Sequence, residues 1–486
     1  MNDKIINRYL SYLLITFIFF IGVASRAYNL NFEDFWTDEI FGFWTSDPNI
    51  LFEETLLRTL NSNFNFLFDF ILKFFHSIFG YNVHISRFLP LTISILSLIL
   101  YLFFFKKISN TPSLIFGFFL LSINIFHIKF SVEIRSYILT FFLTIIFFML
   151  NFKQKKLVDI NFLRLIGILF ISILMIFNHS FTLLIIFSLV VFRIAHSYLN
   201  NKHNLKDYIL IGGLISLGLL YLFLYLPLNI KFIGSDFFTG ESFSPHWMKQ
   251  VKPSFFTNFY FSQFFGSRIL GLIYLIILIY LIFKFKEYLV KKFNIYSFFV
   301  VLILFSYSIP LLYSFLIGPV LLGRFLIYLL IPIISIIAFL TFKIKNKILK
   351  YFIIFILVTP TTVNHILYEN SFKQFYKEIY PTKPQIGEAL ELINTSGTKS
   401  FILMDNKAKE KNSYIAYENY ILNYKKSLRY NLDYFNQYNI NNLPESIWVI
   451  HIKDAYKEFY IPKNFENYKI IDKKFLNNLD LVKLEK

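Results

Sequence analysis

Asp38 and Glu39 stand side by side in the stretch NFEDFWTDEIFGFWTS, Asn31 to Ser46, where four acids fall among Phe, Trp and Ile. A carboxylate in such a setting can take the proton from a hydroxyl or amine as that group attacks an electrophilic carbon. The same residues also read as a helix start. Thr37 or Asp38 can cap a short helix beginning near Ile40, with acids favoured in its first turn. The two readings are compatible, because a cap also fixes a base in place.

The elements that must hold these acids are apolar. The chain has 486 residues, of which 56% are hydrophobic, 21% aromatic and only 16% charged, and its mean hydropathy is +0.55. Apolar runs recur at about 9–28, 83–105, 112–130, 134–152, 162–178, 180–198, 208–230, 267–285, 296–317, 323–342 and 350–367, each near the length that crosses a ~30 Å hydrocarbon layer. A polytopic α-helical membrane protein of about 11 spans is expected. Cysteine is absent, which excludes a disulfide framework, thiol catalysis and thiolate metal sites. The first apolar run has no small-residue cleavage site after it and reads as a retained helix.

Orientation follows from Lys and Arg in the short loops. Alternate loops carry KK, KQKK, NNKHNLK, KFKEYLVKK and KIKNKILK, whereas the other set is neutral or acidic. The basic loops and the N-terminus are placed in the cytoplasm and the C-terminus outside. Much of the net charge of +18 is thereby a topology signal, and nucleic acid is not an expected partner. Domain boundaries are expected at 1–368 for the membrane region and 369–486 for a small extracytoplasmic α/β domain. Two long outer loops belong to the former: 29–82, with interfacial amphipathic helices, and 231–266.

Arginine is distributed unlike lysine. The chain has ten Arg against 38 Lys. The expected cytoplasmic side has sixteen Lys and three Arg, and the outer side before residue 370 has five Lys and six Arg. A codon bias would act on both sides alike. The planar guanidinium pairs bidentately with phosphate or carboxylate, which ammonium does not. Arg87, Arg135, Arg268 and Arg324 each fall at the outer mouth of an expected span, where a charge is costly unless paired. Acids and arginines on one outer face suit chemistry on a lipid-linked phosphate sugar. A carboxylate activates the acceptor, and Arg stabilises charge on the departing lipid phosphate. No nucleotide or other cofactor is required, and a divalent metal remains compatible.

These motifs resemble the GT-C glycosyltransferases that use polyprenyl-phosphate sugars, in the branch of protein O-mannosyltransferases and lipid A aminoarabinose transferases. FWTDEIFGFWTS matches the first-loop acidic motif, implying Asp38 as catalytic base with Glu39 as its neighbour. FGYNVHISRFLP is similar to the run into the second span, with Arg87. SVEIRSY matches a Glu-x-Arg-x-Tyr pattern through Glu133, Arg135 and Tyr137. FNHSF carries His179, and GRFLIYLLIP carries Arg324. The resemblance covers the chain to about 370. NSNFNFLFDF departs from it, with Asn63 and Asn65 and no proline where the family has an acid or His followed by two prolines.

The resemblance implies a transferase of the bacterial inner membrane, moving a sugar from a polyprenyl phosphate to a lipid, glycan or protein acceptor outside. Arg135, Arg324 and Arg87 are expected to bind the donor phosphate. Glu133, Tyr137 and His179 are further candidates, as are His246 and Trp247, which could stack on a sugar. No metal ligand set is expected. A glycan polymerase or ligase using an undecaprenyl diphosphate would carry its largest loop late. A transporter would place ionisable or broken helices at mid-membrane. A catalytically silent scaffold of the same fold is a further, lesser alternative. The topology predicts an active C-terminal alkaline phosphatase fusion, and an inactive one inverts the map.

Overall fold

The computed structural model describes residues 3–62, 66–199, 204–233, 261–316, 320–369, 371–395, 400–405, 411–428, 432–434, 444–453, 461, 465–476 and 478–486. They form two compact units. The first comprises Met1–Arg26, Pro90–Ser131 and Ser136–Tyr368, and the second Ala27–Leu89, Val132–Arg135 and Glu369–Lys486.

The first unit is helical apart from a short ribbon pairing Phe152–Lys153 with Lys156–Leu157. Among the described residues, seven helices of the chain are long and apolar enough to cross a membrane: Arg8–Ala27, Val83–Ile108, Thr182–Leu199, Leu205–Leu224, Ile295–Leu316, Gly323–Lys343 and Lys347–Leu367. Thr111–Ser122, Tyr137–Asn151, Phe162–Asn178 and Arg268–Lys284 are shorter. Each of the eleven expected runs falls on helix. The third is broken at Ile123 and Asn124, where the Asn124 side chain accepts from the His127 N–H at 2.9 Å and starts the separate helix Ile125–Phe130. Gly323–Lys343 is the central element. Its most apolar window is 89% buried, against half or less for the other six, as a helix apolar on every side should be.

Among the described residues of this unit, Arg26 and Arg193 are buried charges, and Arg193 pairs with Asp207 at 2.6 Å. Arg26 is fully buried and holds four segments together. Its Nη1 donates to the carbonyls of Gly22 at 2.6 Å and Ser122 at 2.7 Å, and its Nε donates to Ser94 Oγ at 3.1 Å. Nη2 lies 2.9 Å from His127 Nδ1.

The second unit joins first-loop helices to an α/β domain. The helices are Thr37–Thr45, Phe52–Ser62, Phe66–Phe79 and Val83–Ser86. The domain has a five-stranded sheet in the order Leu432–Tyr434, Ser400–Asp405, Ser446–Ile452, Leu479–Glu485, Lys469–Leu476. The first three strands run parallel and the last two add antiparallel. SIWVIHI is buried from Ile447 to His451, as a central strand covered on both faces requires. Asn478 takes φ +54 at the closing hairpin, a left-handed conformation that asparagine tolerates. Leu403, Ile447, Val449, Phe465, Tyr468, Val482 and Leu484 form its core. The helix Ile386–Thr395 and the strands at 400–405, 446–452, 469–476 and 479–485 follow the sequence pattern. The helix Lys411–Leu428 and the short strand Leu432–Tyr434 were not legible in it.

Candidate active site

The helix carrying the acid pair begins one turn earlier than the sequence suggests. It spans Thr37–Thr45, with Trp36 in extended conformation before it. The cap comes from neither Thr37 nor Asp38: Glu39, in the first turn, reaches back and accepts from the Trp36 N–H at 3.3 Å. Consecutive residues on an α-helix diverge by about 100°, so the two carboxylates separate. The Asp38 side chain keeps 30% of its exposure, and that of Glu39 keeps none.

Glu39 is a buried hub. Lys383 Nζ donates to its Oε2 at 2.7 Å, and Arg87 Nη2 lies 3.6 Å from its Oε1. The Ile134 N–H donates to Oε1 at 3.3 Å. Burial opposes ionisation, yet Lys383 and Arg87 outweigh it and hold the carboxyl below its usual range. Burial likewise works against the Lys383 charge, but Glu39 and then Glu133 keep the ammonium above the usual lysine range. Glu133 Oε1 is 3.8 Å from Lys383 Nζ. Removing one member of such a buried pair costs about 3–5 kcal/mol, because the other charge is left stranded.

Asp38 faces a different cation. Arg135 donates from Nη1 to the Asp38 carbonyl at 3.1 Å, and its Nη2 lies 3.9 Å from Asp38 Oδ2. Gly42 makes room for this meeting. A Cβ there would stand 3.1 Å from the Ile134 carbonyl, so the helix can approach the Val132–Arg135 turn closely.

Five of the expected site residues thus come together in the second unit: Asp38, Glu39, Arg87, Glu133 and Arg135. Lys383, the sixth member, lies 344 positions from Glu39 in the chain, and no motif pointed to it. Arg87, expected to bind the donor phosphate, is tied to backbone carbonyls. Its side chain is 3% exposed and donates to the carbonyls of Leu30, Glu33 and Asp34, and its guanidinium carbon lies 5.0 Å from the Phe35 ring centre. Asp34 is tied as well, accepting from the Gly387 N–H at 2.7 Å and Tyr424 OH at 3.3 Å. Burial raises its carboxyl above the usual range. The helix Lys411–Leu428 plates this region. Tyr417 OH meets Thr37 Oγ1 at 2.9 Å, and Tyr81 OH donates to Asn419 Oδ1 at 2.6 Å.

The first unit gathers another three candidates. The Arg324 guanidinium carbon stands 5.7 Å from the Tyr137 ring centre and 5.8 Å from that of Phe325. The His179 ring lies 4.9 Å from Phe325 and 5.9 Å from Tyr137. His179 also shapes the turn after Phe162–Asn178, its Nδ1 accepting from the Phe181 N–H and its carbonyl from Thr182 Oγ1 at 2.7 Å. His246 and Trp247 lie outside the described residues. Among the described residues, no group of three or more His, Asp or Glu is placed to hold a metal ion.

No protein-family model matches the sequence, and no curated protein does. Solved structures do resemble it. The apo crystal structure of ArnT from Cupriavidus metallidurans aligns over 99% of this chain and 98% of its own, with TM-score 0.53 and 7% identity. ArnT from the same organism bound to undecaprenyl phosphate aligns over 98% and 97%, with TM-score 0.50 and 7% identity. The archaeal oligosaccharyltransferase AglB from Archaeoglobus fulgidus, in complex with an inhibitory peptide and a dolichol-phosphate, aligns over 92% of this chain and 70% of its own, with TM-score 0.48 and 11% identity. At such identity the likeness to ArnT is one of fold.

His76, buried, and Asp69, half-buried, titrate in opposite senses. His76 Nε2 lies 2.8 Å from Ser86 Oγ, and burial pushes the imidazole down to about 4. Asp69, which accepts from Thr59 Oγ1 at 3.1 Å, is pushed up by burial to about 6, against a partial offset from Arg135. The His76 contribution to stability is full above its unfolded pKa of ~6.5 and is lost as pH falls towards about 4. The Asp69 contribution is full below its unfolded pKa of ~3.9 and is lost as pH rises through about 6. Between pH 7.5 and 4.5, His76→Gln gains stability relative to wild type as the solution is acidified, and Asp69→Asn loses it. Thermal melts in detergent across that window check both signs.

Proposed function

From the GT-C fold that this chain shares with ArnT, we propose that it is a membrane glycosyltransferase using a polyprenyl-phosphate sugar donor. The observation that carries this reading is the split of the acid pair. One carboxylate is buried in fixed charge, and its neighbour, Asp38, is partly exposed beside Arg135.

In the proposed reaction, Asp38 takes the proton from an acceptor hydroxyl or amine as that atom attacks the anomeric carbon. The new bond forms to the sugar, the bond from the sugar to the donor phosphate breaks, and the lipid phosphate leaves with the electron pair. Arg135 neutralises the charge that collects on the leaving group, a task for which a guanidinium fork suits phosphate oxygens, and Arg324 is a further candidate for donor recognition. Glu39 and Glu133 support this arrangement and touch neither reactant. Tyr137 and His179 shape the surroundings of Arg324, and His246 and Trp247 are proposed to contact the sugar or the acceptor. The acceptor is a lipid, glycan or protein on the outer side of a bacterial inner membrane, the side on which the basic-loop pattern puts the acids.

Membranes supplied with a panel of undecaprenyl-phosphate sugars, radiolabelled in the sugar, test the assignment. Asp38→Asn lowers transfer about 10²–10⁴-fold, the usual worth of a positioned base. Wild-type transfer in that variant sinks the base assignment. Arg324→Lys raises the KM for the donor, whereas Arg164→Lys leaves it unchanged. Equal effects at the two positions count against phosphate recognition by Arg324.

A further inference from the structure

Among the described residues, Lys383 is the one charge at the acid pair that comes from beyond the last apolar helix, and its two partners belong to different segments. Glu39, at 2.7 Å, sits next to Asp38 in the first turn of Thr37–Thr45. Glu133, at 3.8 Å, sits two residues from Arg135 in the Val132–Arg135 turn. Asp38 and Arg135, the groups assigned to the reaction, meet across these same two segments at 3.9 Å.

The backbone around Lys383 is pinned on both sides. The Thr382 N–H donates to Glu33 Oε1 at 2.8 Å, and the Gly387 N–H donates to Asp34 Oδ2 at 2.7 Å. The Lys383 carbonyl accepts from the largely buried Gln385 side chain at 3.0 Å. Pro381 and Pro384 flank the residue and narrow its backbone freedom further. A lysine side chain ordinarily gives up much rotamer freedom to hold one pose. Here its stem is 14% exposed and its ammonium is held between two carboxylates. Glu39 has a second cation in Arg87 and two N–H donors besides. Neutralising Glu39 does not by itself require a bridge to Glu133.

We propose that Lys383 is a positioning residue for the transfer: by bridging Glu39 and Glu133 it fixes the start of the Thr37–Thr45 helix against the Val132–Arg135 turn and so sets Asp38 against Arg135. This rests on the reading of Asp38 as the base. The segment after the last apolar helix is then part of the catalytic apparatus as well as the start of the α/β domain.

The test uses the full chain and the same labelled undecaprenyl-phosphate sugars. Lys383→Met lowers kcat about 10²-fold, the effect of an ångström-scale displacement of reacting groups, with little change in the donor KM. Lys383→Arg, which keeps a cation of similar reach, recovers transfer to within about tenfold of wild type. The double variant Lys383→Met/Glu39→Gln removes one charge of each sign and melts closer to wild type than Lys383→Met, yet stays as slow as Lys383→Met. A counter-charge with a folding role alone predicts the opposite, recovery of rate together with stability. That recovery overturns the proposal, and so does wild-type kcat in Lys383→Met. Asp38→Asn is assayed alongside. If it is inactive while Lys383→Met is fully active, the positioning role fails alone. If Asp38→Asn is active, the base reading fails first.

Discussion

A carboxylate taken wholly out of water must find fixed charge and N–H groups to replace its hydration, and Glu39 shows how much structure that demands. Its two oxygens draw on Lys383, Arg87, Ile134 and Trp36, four residues from four separate stretches of the chain. Satisfying one acid therefore fixes the start of a helix, the turn at 132–135 and the entry to the α/β domain in a single arrangement. Asp38, adjacent in sequence but turned away, takes its orientation from a neighbour that cannot move. A reactive group gains precision when the residues around it are locked by packing and hydrogen bonds, and here the lock is electrostatic.

A guanidinium can serve a ligand or the fold, and the sequence could not tell the two apart. The same planar fork that suits phosphate also reaches several backbone carbonyls at once. Arg26 and Arg87 use it for that purpose, and Arg58 stacks on Trp44 at 4.5 Å while donating to its carbonyl. The excess of arginine over lysine on one side thus has a structural component alongside any ligand. Arg135 and Arg324 remain the two proposed to meet a phosphate.

Most of the architecture was legible because spans of apolar residue and alternating strands leave a periodic trace. The eleven runs, the amphipathic helices of 29–82 and four of the five long-chain strands of the sheet follow from it. The helix Lys411–Leu428 left none. KNSYIAYENYILNYKKSL mixes Tyr, Asn and Lys on every side, and it is placed by tyrosine hydroxyls such as Tyr417 and Tyr420 bonding to first-loop groups. The cap at Glu39 and the partner at Lys383 were illegible for a related reason. Both are set by which acid turns inward, and that depends on tertiary contacts far apart in sequence. The sequence named five residues that the fold brings together around Asp38, and it did not name Lys383, which ties them.

The burial of Arg26 also bears on the order in which the chain can assemble. Its donors reach Ser94, Ser122 and His127, all of them made well after the first apolar helix. Until those residues emerge from the ribosome, the Gly22 carbonyl of its own helix is the one of its acceptors at hand, and a guanidinium so thinly paired is a costly charge to hold within hydrocarbon. The acceptors are complete only once the third apolar run is made, so the final seat of this guanidinium is fixed later than the helix that carries it.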